Sequence, residues 1–235
     1  MEETVFPIVT YNPKTNKWKC LGTGFFINPV GAFVTAKHLL FSEGKIVEPT
    51  LLGIQKISQE EYHVREVNKL SAHNNSDLMI GKLGKRRKDF KGIKPELSKY
   101  SVIDFETLKI DDEIYTYSFP NTTSIELNEE DEEYTFKGTY SKGKIIDYHQ
   151  NGTSKLKNRC FQTNMKIDGG SSGGPVFKNG YIVAINSTSF NLSEDDEPIS
   201  FITPIDYILD LFVIEDGKKI TIKQLIEQGN IKTKN

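Results

Sequence analysis

Apolar and polar positions alternate over short stretches of this chain, and Gly, Asn, Pro or Ser interrupts most of these stretches after a few residues. A period of two in β-branched and aromatic residues is typical of half-buried β-strands, so the pattern predicts a mainly β protein. The candidate strands are residues 4–10, 24–27, 33–35, 51–57, 63–67, 78–83, 113–118, 134–139, 144–148, 160–163, 175–177, 182–186 and 199–203.

The strands divide into two groups. A mixed segment near residues 95–111 separates two strand-rich halves of similar length, which favours two small β-barrels over one sandwich. We expect an N-terminal barrel over residues 1–108 and a C-terminal barrel over residues 109–203. From Pro204 onward the apolar residues fall three or four positions apart, which predicts a helical extension over residues 204–235.

Composition then limits the class of function. The 235 residues include 30 Lys and Arg against 32 Asp and Glu, so the chain lacks the basic excess that is typical of nucleic-acid binding. No apolar run approaches the roughly 18 residues that a membrane helix needs, and the acidic start Met-Glu-Glu does not resemble a secretory signal. With only Cys20 and Cys160 present, we expect reduced thiols and a cytoplasmic protein with neither nucleic-acid nor membrane partners.

A small-residue turn carries a candidate nucleophile. Residues 168–176 are Asp-Gly-Gly-Ser-Ser-Gly-Gly-Pro-Val, and they lead directly into an apolar strand. Glycines allow positive φ angles and bring backbone amides close to a bound atom. The run alone favours a simple tight turn over a catalytic site, because short motifs recur by chance. The Ser172 hydroxyl becomes a nucleophile only beside a base, so the positions of the histidines decide.

All four histidines precede Ser172, which excludes the α/β-hydrolase order, in which histidine follows serine. Asp77 is the first aspartate, so a subtilisin order would use His149, which lies in a polar stretch and which we expect to be an exposed loop residue. His38, in contrast, ends a predicted strand among small residues, and Asp77 leads into another apolar strand. The order His38, Asp77, Ser172 is the chymotrypsin order.

Three motifs together resemble the trypsin-like serine peptidases, in particular the bacterial-type branch that includes the Deg/HtrA protease domains. The sequence Thr-Ala-Lys-His ending at His38 is similar to the family's Thr-Ala-Ala-His element, and Asp-Leu-Met from Asp77 to its Asp-(Ile/Leu)-Ala element. The sequence Gly-Ser-Ser-Gly-Gly-Pro around Ser172 is similar to Gly-Asp/Asn-Ser-Gly-Gly-Pro. Further similar stretches extend the resemblance over about residues 20–205.

The resemblance implies an all-β fold of two six-stranded antiparallel β-barrels with a cleft between them. It implies a serine endopeptidase in which Ser172 attacks a peptide carbonyl, His38 transfers the proton and Asp77 orients the imidazole. The backbone N–H groups of Gly170 and Ser172 would form the oxyanion hole. This chemistry requires no metal or organic cofactor, and the partner is a protein or peptide substrate.

The sequence departs from the family in two places. Leu39 stands where a half-cystine follows the histidine, which agrees with a reducing compartment. Ser171 stands where the digestive enzymes carry an aspartate that pairs with a new N-terminus after cleavage, so we expect no activation by N-terminal cleavage. Control would come instead from a regulatory protein partner, an ordering loop or substrate binding.

Cleavage specificity depends on the residues that would line the primary pocket. Lys166 stands six residues before Ser172, at the position of the pocket floor in this family. A buried ammonium there would favour an acidic residue before the scissile bond, whereas a lysine stem that turns outward would leave its ammonium in solvent. The acidic segment 194–197 would repel carboxylates from the same pocket. The same alignment predicts three polar wall residues: Asn186, Ser187 and Ser200.

Three alternatives stay open. A catalytically latent or inactive trypsin-like domain could serve as a protein-binding module, since a fold does not define a function. An esterase-like hydrolase would share the nucleophile and differ in substrate. A zinc site built on His73 and Asp77 would need a third ligand, which the sequence does not offer nearby.

Overall fold

The N-terminal half of the chain closes into a six-stranded antiparallel barrel. The computed structural model describes residues 2–12, 14–42, 45–46, 50–58, 62–84, 98–126, 132–190, 198–215 and 217–234. The strands are β1 (Val5–Asn12), β2 (Lys17–Phe26), β3 (Ala32–Ala36), β4 (Phe41–Ser42), β5 (Lys45–Ile46), β6 (Leu52–Lys56), β7 (Tyr62–Ala72) and β8 (Leu78–Leu83). The barrel order is β1-β2-β3-β8-β7-β6, and β4 and β5 form a separate hairpin.

The C-terminal half closes into a second antiparallel barrel. Its strands are β9 (Glu113–Glu126), β10 (Glu132–His149), β11 (Cys160–Thr163), β12 (Pro175–Lys178), β13 (Tyr181–Phe190) and β14 (Ile199–Pro204). They pair in the order β10-β11-β14-β13-β12-β9. The fold class expected from the sequence, with two six-stranded antiparallel barrels, is confirmed in the described residues. The exact domain boundaries at residues 108 and 203 stay predictions.

Strand β10 joins two strands that the sequence pattern predicted separately, 134–139 and 144–148. Gly143 lies in the interval between them, but in the structure it is part of one continuous strand, where it pairs with Ile114 of β9. A Cβ at Gly143 would lie 2.6 Å from the Cα of Met165, so this glycine permits a close backbone approach. A glycine inside a strand therefore marked a tight packing position here.

The C-terminal tail contains the predicted helical structure and an additional hairpin. A 3₁₀ helix spans Ile205–Asp210, strands β15 (Phe212–Glu215) and β16 (Lys218–Thr221) pair with each other, and helix α1 spans Ile222–Glu227. The side chain of Thr221 caps α1 in a capping box with Gln224. The hairpin was not predicted, because three- and four-residue spacings on both sides of it favoured continuous helix.

The tail packs against both barrels. Its apolar residues share one buried cluster with Phe25 and Val34 of the first barrel and with Phe177 and Ile185 of the second. The backbone of Ile103, between the barrels, also bridges to both β13 and the chain end. These contacts join the barrels on the side that carries the tail, which limits how far one can move against the other. The contributing tail residues are Ile205, Ile208, Leu211, Val213, Ile222, Leu225 and Ile231.

The acidic segment 194–197, which we expected to repel carboxylates from the primary pocket, lies outside the described residues. In the described ranges, no helix has the length and apolar character required to cross a membrane.

Candidate active site

His38 and Asp77 meet because the strands that carry them are neighbours. His38 lies in the 3₁₀ helix Lys37–Leu39 directly after β3, and Asp77 lies directly before β8. Ala36 pairs with Leu78 in the β3–β8 ladder, which brings the two side chains to one edge of the barrel. Nδ1 of His38 lies 3.0 and 2.9 Å from Oδ1 and Oδ2 of Asp77, and the His38 backbone N–H donates to Oδ1 at 3.0 Å.

This contact orients the imidazole. Asp77 holds Nδ1, so the Nδ1–H tautomer is favoured and Nε2 is the ring nitrogen left for another partner. The Asp77 side chain is 11% exposed and that of His38 is 48% exposed. The carboxylate is therefore sheltered behind the ring, while the ring itself reaches the open cleft.

A tight turn presents Ser172. The Asp168 carbonyl accepts a hydrogen bond from the Ser171 N–H at 3.0 Å, and Gly170, the third residue of this turn, has a φ of +90°. That angle matches the third position of a type II turn, which only glycine occupies without strain. In the part of the chain that the structure describes, the N–H groups of Gly170 and Ser172 donate to no protein acceptor. The amides of Gly170 and Ser172 thus remain available to a bound atom.

The same turn docks on the first barrel through Thr23. The Thr23 N–H donates to the Ser172 carbonyl at 2.9 Å, and its hydroxyl donates to the Gly170 carbonyl at 2.8 Å. Gly173 lies so close to this barrel that a Cβ there would be 2.4 Å from the Thr23 carbonyl oxygen and 2.8 Å from the Ala36 nitrogen. The position of Ser172 relative to His38 therefore depends on this contact between the barrels.

The Ser172 hydroxyl does not contact His38 in this structure. It donates to the Ser187 carbonyl at 3.2 Å, and no hydrogen bond joins it to the imidazole within the described residues. His38, Asp77 and Ser187 nevertheless line one cleft of about 590 Å³. The structure thus brings the histidine and the aspartate together, and it leaves the Ser172 hydroxyl bonded to Ser187, which lines the same cleft.

Asn158 is a site residue that sequence reasoning missed. It is buried, its Oδ1 accepts a hydrogen bond from the Asp77 N–H at 3.1 Å, and its Nδ2 donates to Thr203 Oγ1 at 3.1 Å and to the Arg159 carbonyl at 2.8 Å. Thr203 Oγ1 lies 2.7 Å from the Ser187 hydroxyl. Asn158 thereby ties the loop of Asp77 to the second barrel. No motif surrounds it, so only the tertiary contact identifies it.

Lys166 is not the buried pocket cation that the sequence suggested as one alternative. Its side chain is 64% exposed, and its Nζ lies 3.4 Å from Oδ1 of Asp168. The structure therefore shows the second alternative, with the ammonium in solvent. The physical reason is that water and a carboxylate two residues away solvate the ammonium without the desolvation that burial would require.

The three predicted wall residues are all buried. Asn186 supports the turn, since its Nδ2 donates to Thr116 Oγ1 at 2.8 Å and to the Ser171 carbonyl at 3.2 Å. Ser187 lines the cleft, and its backbone carbonyl accepts a hydrogen bond from the Ser172 hydroxyl. Ser200 Oγ has no hydrogen-bond partner among the described atoms. Their role in substrate selection stays a prediction.

The other histidines lie away from Ser172. His63 is buried in β7, and His73 follows that strand with Nε2 at 3.6 Å from Oδ2 of Asp210. His149 is the last residue of β10, and its Nε2 lies 3.3 Å from Gln162 Oε1. The expectation of an exposed loop residue was wrong, because the strand continues to this residue. Across the described ranges, no three His, Cys, Asp or Glu side chains are grouped to hold a metal ion.

Neither Cys20 nor Cys160 forms a disulfide bond. Cys160, the first residue of β11, is fully buried in a cluster with Leu156 and Phe201, and burial raises the pKa of its thiol to about 11. A buried neutral thiol of this kind behaves as a small apolar residue.

Comparison with known proteins agrees with the geometry. Residues 22–185, more than half of the chain, match the family model of the trypsin-like peptidase domain. The crystal structure of Deg5 superposes with a TM-score of 0.63 at 16% sequence identity, over 98% of this chain and 92% of that one. None of the curated proteins matches the sequence. The chain therefore belongs to the family of trypsin-like peptidase domains.

Proposed function

We propose that the protein is a serine endopeptidase that uses Ser172 as nucleophile, His38 as general base and Asp77 as the group that orients the base. The observation that carries this proposal is the His38–Asp77 pair. Both carboxylate oxygens lie within 3.0 Å of Nδ1, and the ring reaches the cleft that Ser187 also lines. Acyl transfer requires a base that a carboxylate orients and a hydroxyl within its reach, and the His38–Asp77 pair supplies the first of these.

The reaction begins with a rotation of one side chain. Ser172 leaves the Ser187 carbonyl and turns to Nε2 of His38, a change between staggered rotamers that substrate binding drives. As Oγ attacks the peptide carbonyl, His38 takes its proton and Asp77 stabilises the resulting imidazolium. His38 then protonates the leaving amine, and water hydrolyses the acyl-enzyme by the reverse sequence. The free amides of Gly170 and Ser172 stabilise the oxyanion, where one donor contributes about 10²–10³ in rate.

A peptide substrate is favoured by a free strand edge. Strand β13 pairs with β14 as far as Phe190, but its pairing with β12 ends at Ile185. In the described part of the chain, residues 187–190 therefore have one edge without a strand partner. An extended peptide can bind such an edge through backbone hydrogen bonds, which a small ester cannot do.

Labelling with a fluorophosphonate probe tests the proposal. The native protein is expected to form a covalent adduct at Ser172, and the variants Ser172→Ala and His38→Ala are expected to lose it. Ser141→Ala, which removes a hydroxyl from β10 outside the cleft, is the matched control and should label normally. Failure of the folded native protein to label, or adduct formation at another residue, would contradict the proposal.

One observation favours a second candidate, a latent domain that binds peptides without cleaving them. The Ser172 hydroxyl is already satisfied by the Ser187 carbonyl, so the resting geometry is not poised for attack. This candidate predicts a folded protein that binds a peptide at the edge of β13 and does not label. Partner-induced labelling would instead identify a regulated peptidase.

A further inference from the structure

The cleft beside His38 carries an excess of positive charge. Three of the described residues that line it are lysines: Lys37, Lys155 and Lys157. Among the described lining residues one carries a carboxylate, Asp77, and both of its oxygens already contact Nδ1 of His38. An anionic side chain that enters this cleft therefore meets cations and no free described carboxylate.

Lys155 and Lys157 are held in place by the loop between β10 and β11. Leu156, between them, is buried against Cys160 and Phe201. The Thr153 hydroxyl accepts hydrogen bonds from the backbone N–H groups of Lys155 and Leu156 at 3.3 and 3.1 Å. With Leu156 anchored inward, the side chains on both sides of it are exposed at the cleft. The charges are thus carried by an ordered segment, which lowers the entropic cost of binding.

The two ammonium groups remain available to a ligand. Neither forms an ion pair with any carboxylate that the structure describes, and Lys155 Nζ lies 5.5 Å from the centre of the Phe190 ring. Lys37 differs, because its Nζ already donates to the carbonyls of His73 and Asn74 at 2.8 and 3.4 Å. We therefore assign recognition to Lys155 and Lys157.

The reaction geometry decides which part of a substrate passes these lysines. The leaving nitrogen must face His38 to receive its proton, so the acyl side of the substrate lies along β13. The acyl side of the substrate cannot pair with Asn186, because the backbone of Asn186 already forms hydrogen bonds with Gly173 and Gly174. The acyl side must therefore extend toward Phe190. An extended chain advances about 3.3 Å per residue, so the residues two to four positions before the scissile bond reach this end of the cleft.

Resting on the proposed endopeptidase activity, we propose that the cleft selects acidic peptides, with Asp or Glu two to four residues before the scissile bond held by Lys155 and Lys157. Lys166, which is solvated outside the cleft, takes no part in this selection. The acidic side chains form charge-assisted contacts at a partly exposed surface, so the selectivity is electrostatic and decreases with salt.

A fluorogenic tetrapeptide library measures the selectivity. We expect Asp and Glu at these positions to raise kcat/KM about tenfold over Asn and Gln at low ionic strength, and the ratio to approach one at about 1 M salt. The double variant Lys155→Glu/Lys157→Glu should prefer Lys over Glu at the same positions. Lys142→Glu, an exposed lysine of β10 outside the cleft, should keep the native preference. An acidic preference that survives in the double variant, or a native preference for neutral residues, overturns the inference.

Binding to Ser172→Ala separates this inference from the proposed activity. Fluorescence anisotropy compares a fluorescein-labelled decapeptide that contains four Asp residues with its Asn counterpart. Tighter binding of the Asp peptide that depends on Lys155 and Lys157 supports the inference even if the native protein cleaves nothing. Equal binding of the two peptides overturns it. Equally tight, lysine-dependent binding of a single-stranded oligonucleotide also overturns it, in favour of a general polyanion site.

Discussion

Gly173 and Gly180 have similar positive φ angles in different surroundings, so a comparison of the two positions measures the contact between the barrels. Their φ angles are +81° and +85°. A Cβ at Gly173 would lie 2.4 Å from the Thr23 carbonyl oxygen and 2.8 Å from the Ala36 nitrogen, whereas one at Gly180 would have no heavy atom within 4 Å. The variants Gly173→Ala and Gly180→Ala therefore share the conformational strain and differ in the collision.

The free-energy cost of the backbone strain and the cost of the collision can be estimated separately. A left-handed conformation costs alanine about 1–2 kcal/mol relative to glycine, and this is the whole effect expected for Gly180→Ala. Overpacking against backbone adds about 1–3 kcal/mol, so Gly173→Ala should lose about 2–5 kcal/mol of unfolding free energy. Relief of the collision moves Ser172 away from the first barrel, so Gly173→Ala should also react more slowly with a fluorophosphonate.

Urea unfolding, followed by the fluorescence of Trp18 and by circular dichroism, gives both free energies. Labelling rates with the fluorophosphonate give the second readout, and Gly180→Ala should match the native protein there. Equal destabilisation by the two substitutions, within about 0.5 kcal/mol, would refute the argument that Gly173 permits the close approach of the barrels.

Three further predictions concern stability and reactivity. Asn158→Ala leaves the Asp77 N–H without its acceptor and should cost about 1–3 kcal/mol in urea unfolding. Asn158→Asp keeps that acceptor but places a buried carboxylate oxygen against the Arg159 carbonyl, so it should cost at least as much. Burial opposes ionisation of Asp112, but hydrogen bonds, chiefly from Lys178, outweigh it and lower its pKa. Ionised Asp112 therefore stabilises the folded state, fully above its unfolded pKa near 3.8, and this contribution is lost as pH falls through the lower folded pKa. Lys178→Gln should reduce the loss of unfolding free energy over that acid range, measured by urea unfolding at several pH values. Burial raises the pKa of Cys160 to about 11, so its thiol should resist a disulfide reagent at about pH 8 until the protein unfolds.

The strands were predictable, and the candidate catalytic residues could be proposed, because both depend on local order in the chain. Alternation of apolar residues located most of the barrel strands, and motif order selected His38, Asp77 and Ser172 from many polar residues. The structure places the first two in direct contact because β3 and β8 are neighbours. The interruption predicted inside β10 failed because a glycine can mark either a turn or a close packing contact.

Side-chain direction and contacts between distant segments were not predictable. Lys166 occupies the expected position along the chain, yet its stem turns to solvent, where Asp168 lies within 3.4 Å. Asn158 contacts Asp77 across 81 residues of sequence and carries no motif. Lys155 and Lys157 look like ordinary surface lysines until Leu156 anchors their loop beside the cleft.

The sequence by itself determined the all-β class, the two barrels and the residues that could perform acyl transfer, since periodicity and motif order are properties of the chain. The tertiary structure alone decided which of these residues meet, how the Ser172 turn docks on Thr23, and which charges border the cleft. The physical reason is that a hydrogen bond or an ion pair depends on distances of about 3–4 Å between atoms, and only packing sets such distances between segments far apart in the chain.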